Sequence, residues 1–337
     1  MTHDRTVLKI GLAVIGLWVM ALLAPQPLAA ASPKLDHNQI REYTRRGLDL
    51  LMNGDPDAAI AFFRQIQAHD PQSALGYLLE ADATWWKIYY ATADLAAPDV
   101  FDVVSSETTP YDLYFERLVK EAIGKAEAHR QAHEDEARNY LYEGLAYALR
   151  ARLVGLRGKD LPTARAGKKM RWLMLRALQL DPSLTDAYLG VGLYNYFVDT
   201  LPTIVKILRI FIGLPGGDSE VGLQQLQQAA EKGELARGEA KFLLAKDYSR
   251  QNERQYSTSL KFFQELEREY PGNPFWTLLI GSVQCRLNNT RECESLYRQV
   301  IRQTAEEKIE ARQAVHRAAV TALERLRAQA KQDNSTE

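Results

Sequence analysis

Small and large apolar positions recur along this chain at helical spacing. Tyr43 lies four residues before Gly47, Ala59 follows Gly47 by twelve, Phe63 follows Ala59 by four, and Pro71 comes eight residues later. Small side chains at Gly47 and Ala59 let two antiparallel helices approach closely, and Phe63 fills the gap to the next unit. Asp70-Pro71 stops the second helix, because the residue before proline is pushed out of the helical region. The spacing returns. Pro71 to Ala81, Pro182 to Gly192 and Pro271 to Gly281 are each ten residues; Tyr140 precedes Gly144 by four, as Tyr188 precedes Gly192; Gly281, Cys293 and Tyr297 repeat the twelve-and-four step. Recurrence in one register predicts a helical repeat. The expected protein is all-α, with about six helical hairpins over residues 38–330. The last part of that span is a charged capping helix from Glu306 to about Ala330, and the tail 331–337 is expected to be disordered.

These offsets resemble the tetratricopeptide repeat, and the resemblance covers roughly Asn38 to Gln303. It implies antiparallel hairpins stacked in a right-handed superhelix, with the first helix of each hairpin lining a concave face. Hairpins two to four depart from the family by insertions, at Ala96–Pro110, Gly155–Ala166 and Leu201–Gly217. Carried onto this chain, the family's groove positions are Leu75, Leu78, Asp82, Trp85 and Trp86 in unit two. They are Arg138, Leu141, Leu145, Ala148 and Leu149 in unit three, and Asp186, Leu189, Leu193, Tyr196 and Phe197 in unit four. The residues expected to meet a partner or ligand are therefore Trp85, Trp86, Leu141, Leu145, Leu189, Tyr196 and Phe197. The Lys/Asn/Arg set that clamps C-terminal carboxylates in chaperone-binding members is missing from these positions, so no such clamp is expected.

An apolar groove of this size must be covered or occupied. Either the inserted segments fold back and fill it, or a hydrophobic peptide or lipid-like molecule does. The insertion Thr203–Gly213 is about three helical turns, too short to span a bilayer. Ile204, Ile207, Leu208 and Phe211 fall on one side of such a helix, Lys206 and Arg209 on another. It can plug the groove or lie in a membrane interface. The run GLYNYFVDTLPTIVKILRIFIGLPGGDSEVGL also resembles, over that one segment, helical-repeat proteins associated with mitochondrial outer membranes and inclusion-body clearance.

The N-terminus changes the compartment. Arg5 and Lys9 precede an uncharged apolar run from Ile10 to Ala24; Pro25–Leu28 breaks it, and Ala29-Ala30-Ala31 supplies small residues. That is the plan of a signal peptide over residues 1–31, cleaved after Ala31, which predicts a periplasmic or secreted protein. The alternative is an uncleaved N-terminal anchor, although the run is shorter than the ~20 residues a spanning helix needs.

Composition adds limits. The 337 residues carry 42 Lys+Arg against 43 Asp+Glu, so nucleic-acid binding by bulk charge is not expected. Cys285 and Cys293 face each other across the last hairpin, as a disulfide or as two buried thiols. His129 and His133 have helical i, i+4 spacing, but with no third ligand they read as a solvated face rather than a metal site. Pro215-Gly216-Gly217 lacks the Lys-Ser/Thr of a phosphate loop, and Asp218 reads as a helix cap. No nucleophile elbow or dinucleotide fingerprint is present, and no cofactor is implied. The expected function is a non-catalytic exported scaffold for a protein partner. The alternatives are a carrier or sensor of an apolar molecule, or a membrane-peripheral role through Ile204, Lys206, Ile207, Arg209 and Phe211.

Overall fold

A computed structural model describes residues 36–99, 107–200 and 213–336. The signal segment 1–31 and the membrane candidates Ile204, Lys206, Ile207, Arg209 and Phe211 lie outside the described residues.

Among the described residues the chain is all-α, with thirteen helices and no strand. They are α1 (His37–Met52), α2 (Pro56–His69), α3 (Leu75–Thr92), α4 (Asp112–Gln131), α5 (Glu136–Leu156), α6 (Asp160–Leu180) and α7 (Ala187–Thr200). Then come α8 (Ser219–Lys232), α9 (Arg237–Ser249), α10 (Tyr256–Glu269), α11 (Pro274–Arg286), α12 (Thr290–Gln303) and α13 (Glu310–Thr336). Local chemistry sets their starts. Asp36 and Gln39 form a reciprocal capping box at α1. Asp55 and Asn273 cap α2 and α11, each followed by proline at the first helical position, where no N–H is needed. Asp218 accepts from the Val221 N–H at 3.0 Å and caps α8.

Consecutive helices pack on one another along the whole chain. The small positions of the repeat spacing sit where they are needed. A methyl at Gly47 would collide with the Phe63 ring. One at Gly192 would meet the Gly222 carbonyl oxygen at 2.8 Å, so α7 and α8 touch backbone to backbone.

Two expectations are corrected. Gly155–Ala166 is not an inserted loop: its residues lengthen α5 and α6, each 21 residues long, and the joint is only Arg157–Lys159. Gly158, at φ 68°, makes that tight turn. The last helix starts at Glu310 rather than Glu306. The Glu307 carboxylate accepts from the Lys308 and Ile309 N–H groups and pairs with Arg312, which holds the chain in a turn before the helix begins. α13 continues to Thr336, beyond the expected end at Ala330.

The core sits where early and late helices meet. Trp86, Tyr89 and Tyr90 of α3 interleave with Phe242 of α9 and with Phe275 and Trp276 of α11. The ring centroids are 5.2 Å apart for Trp86–Phe242 and 5.5 Å for Tyr90–Phe275. Hydrogen bonds tie the same ends together. Asn273 Nδ2 and Trp276 Nε1 donate to the Met52 carbonyl at 2.9 and 3.2 Å, and the Gly272 N–H donates to Asn53 Oδ1 at 2.9 Å. Arg312 of α13 donates to the Asn53 carbonyl at 3.1 Å. α13 therefore packs on α3 as well as on α11 and α12.

Candidate functional site

The sequence-derived groove residues lie inside this core. Trp85, Trp86, Leu141, Leu145, Leu189 and Tyr196 are all buried, Tyr196 completely, and Phe197 is half-buried. Trp85 packs on Phe115 at 6.2 Å, and Trp86 on Trp276 at 6.3 Å. Phe197 meets Tyr196 edge-on at 5.6 Å and carries the Arg250 guanidinium 5.1 Å from its ring centre. Among the described residues, α9 and α11 fill the space beside α3. The sequence left open whether the insertion at 201–214 or a ligand covers this face, and residues 201–212 of that insertion lie outside the described residues.

One internal space beside these residues is small and polar at one end. A cavity of about 30 Å³ lies among Leu78, Leu145, Leu149 and Leu189, bounded by Asp82, Arg152 and Glu239. It holds roughly one or two waters, whereas a drug-sized ligand needs ~300 Å³ or more. Arg152 and Glu239 pair directly. Asp82 has a buried Oδ1 with no hydrogen-bond partner. Burial, then repulsion from Glu239, pushes its carboxyl up to about 8, with Arg152 opposing. Asp247 of α9 is fully buried, and neither carboxylate oxygen has a hydrogen-bond partner. Its pKa is driven well above the usual carboxylate range, by burial first and by Glu253 against the opposing Arg250 and Lys246. Asp82 therefore stays protonated through the acidic range, and burial favours the neutral form of Asp247 in the same way. Unlike Glu143 and Glu239, which have cationic partners, these two acids hold carboxylate oxygens without hydrogen-bond partners, and burial therefore favours their neutral form.

The outside of α5 and α6 is different. Residues 136–180 hold ten Lys/Arg and three Asp/Glu, in a chain whose total charge is −1. Asp160, Pro162 and Leu180 at the ends of α6 are exposed. Along α6 the exposed positions also include Leu161, Arg165, Lys168, Trp172 and Gln179, with Arg176 half-buried between them. Their spacing places them on one side of the helix. Trp172 is 51% exposed. Cations and rings alternate across the neighbouring surface. Arg150 lies 5.2 Å from the Tyr147 ring, Lys169 4.8 Å from Trp172, and Arg130 4.9 Å from Tyr140, which meets Trp172 at 5.8 Å. Glu143, almost fully buried, holds Arg130 at 3.1 Å and Lys169 at 3.5 Å from below. The signal was present in the sequence as ARAGKKMRW, but the balanced total charge hid it.

The remaining candidates separate. Cys285 and Cys293 form a disulfide between α11 and α12, with Cα atoms 5.3 Å apart. His129 lies on α4, but His133 lies beyond its end at φ 59°, so the two do not share a helix face. His129 instead contacts Glu134 at 2.5 Å and the Gln72 carbonyl at 3.1 Å. Among the described residues no group of three His, Cys, Asp or Glu could hold a metal ion, and no helix is long and apolar enough to cross a membrane. No family model matches the chain, and none of the curated proteins compared with it is similar.

Proposed function

We propose that this chain is a non-catalytic scaffold or adaptor, exported to the periplasm or secreted, that recognises its partner with the outside of the molecule. In this reading α1 to α12 are six hairpins of a tetratricopeptide-type superhelix and α13 is its cap. The repeat spacings and the Gly47–Phe63 contact support that assignment. The observation that carries the functional reading is the aromatic cluster of Trp86, Tyr90, Phe242, Phe275 and Trp276, which occupies the place where such arrays usually receive a peptide. A stack filled by its own side chains offers rigidity inside and surface outside, which suits an adaptor. The cavity beside Asp82 is too small to hold an apolar cargo.

Site-specific photo-crosslinking in the producing cell tests the reading. A photoreactive residue at Trp172, Leu113 or Val221, all exposed, should yield adducts of defined mass, and one at Phe197 should yield none. Adducts confined to Phe197 would move recognition back inside, and no adduct at any position would remove the scaffold role. Intact mass of the recovered protein should place its N-terminus at Ser32. A retained residue 1 would make the first segment an anchor.

A further inference from the structure

The chemistry of the α6 surface narrows what it can meet. Its exposed positions combine large apolar side chains with cations and contain no acid between Leu161 and Leu180; Asp160, at the helix start, is the only acidic residue in α6. Five large hydrophobic side chains are prominently exposed among the described residues, and Leu161, Trp172 and Leu180 are three of them. Nothing in the local fold demands this. The opposite side of α6 already buries Ala166, Met170, Leu173, Met174 and Ala177. Arg165 and Lys168 are exposed and enter no ion pair among the described residues. The surface runs about 28 Å along the helix at 1.5 Å per residue.

We infer that this side of α6 docks on a bilayer surface rich in anionic phospholipid. The inference rests on the reading that recognition lies on the outside of the molecule, and it names the partner of that surface. Two features favour a lipid surface over an acidic polypeptide. The surface is one side of a single helix rather than a groove, and extended or helical peptides are taken into grooves or sheet edges. Trp beside Lys and Arg is the composition of an interface-seeking helix face, with the ring at headgroup depth and the cations among the phosphates.

The experiment uses the full chain. Leu161→Cys, labelled with an environment-sensitive fluorophore, reports whether α6 itself reaches the bilayer, whatever the N-terminal segment does. The same label at Leu113→Cys on α4, 83% exposed, is the control. With vesicles of phosphatidylcholine and phosphatidylglycerol, the label at position 161 should shift to the blue and be quenched by lipid-borne quenchers. The control should not change, and pure phosphatidylcholine should give no shift at either position. Arg165→Glu with Lys168→Glu, folded by circular dichroism, should weaken the response by about 20-fold or more, at roughly fivefold for each cation removed. Half-molar salt should weaken it in the same direction. Trp172→Ser should reduce quenching while leaving the salt dependence in place. A label at 161 that stays in water on anionic vesicles overturns the inference. So does an affinity unchanged in the charge-reversal variant. Tight binding to polyglutamate without vesicle binding assigns the surface to an acidic protein and also overturns it. If the vesicle arm fails while photo-crosslinking at Trp172 still gives a protein adduct, the scaffold reading stands and the lipid inference falls.

Discussion

Trp276 and Trp172 are the same side chain in opposite circumstances. Trp276 is fully buried, touches Trp86, Phe242 and Phe275, and donates its indole N–H to the Met52 carbonyl. Apart from its neighbour Phe275, its partners come from other helices, α1, α3 and α9. Trp172 is half-exposed, and its partners Tyr140 and Lys169 come from its own helix and the one before it. The first kind of site holds together helices that are remote in sequence. The second kind leaves a ring and its cations available to something outside. The same aromatic, read from sequence, is structural in one place and a recognition candidate in the other, and only the tertiary partners tell them apart.

The largest effect separating the two regions is on stability. Trp276→Ala should lower the unfolding free energy by about 3–5 kcal/mol, since it removes a large buried ring and leaves a cavity. Urea denaturation followed by circular dichroism measures this. A loss below about 1 kcal/mol would mean that α11 is not docked on α1 and α3.

The next effect concerns charge. Asp82 has a folded pKa of about 8, above its unfolded value, so between about pH 4 and 8 the folded state keeps a proton that the unfolded state releases; the burial of Asp247 acts in the same direction. Stability therefore falls as pH rises through that window. Asp82→Asn cannot ionise. It should gain about 1–2 kcal/mol over the parent at pH 8 and little at pH 4. Melting temperatures at the two pH values decide, and an equal gain at both would show that the carboxyl is not protonated in the fold.

The smallest effect is outside. Trp172→Ser should change stability by no more than about 0.5 kcal/mol. A loss above about 2 kcal/mol in the same urea titration would make Trp172 a core residue and erase the contrast.

Much of this fold is legible in the sequence, for a physical reason. Gly47 against Phe63 and Gly281 against Tyr297, the latter at 3.0 Å from a placed Cβ to the ring, are contacts within one helix pair, and fixed spacing encodes them directly. The caps Asp55, Asp218 and Asn273 are equally local. The docking of α3 on α9 and α11 is not legible. It depends on small rotations accumulated over several helix pairs, and no short spacing records their sum. Gly155–Ala166 was misread because residues added to a repeat lengthen helices as readily as loops when they have helical propensity, as Leu156, Leu161 and Arg165 do. The α6 surface was missed because a whole-chain charge near zero averages over a local excess.

The central claim is that the first and last parts of the helical stack close on each other and fill its interior. It is tested most directly by a cross-link between Asn53 and Gly272. A Cβ placed on Gly272 lies 3.4 Å from Asn53 Cβ, close to the separation a disulfide requires. Asn53→Cys with Gly272→Cys should form that bond under mild oxidation, nearly completely and without loss of helix content. It should appear as a faster-migrating species on a non-reducing gel that reverts with reductant. Two thiols that remain free and reactive in the folded protein would show that the ends stand apart and that the interior is an open groove.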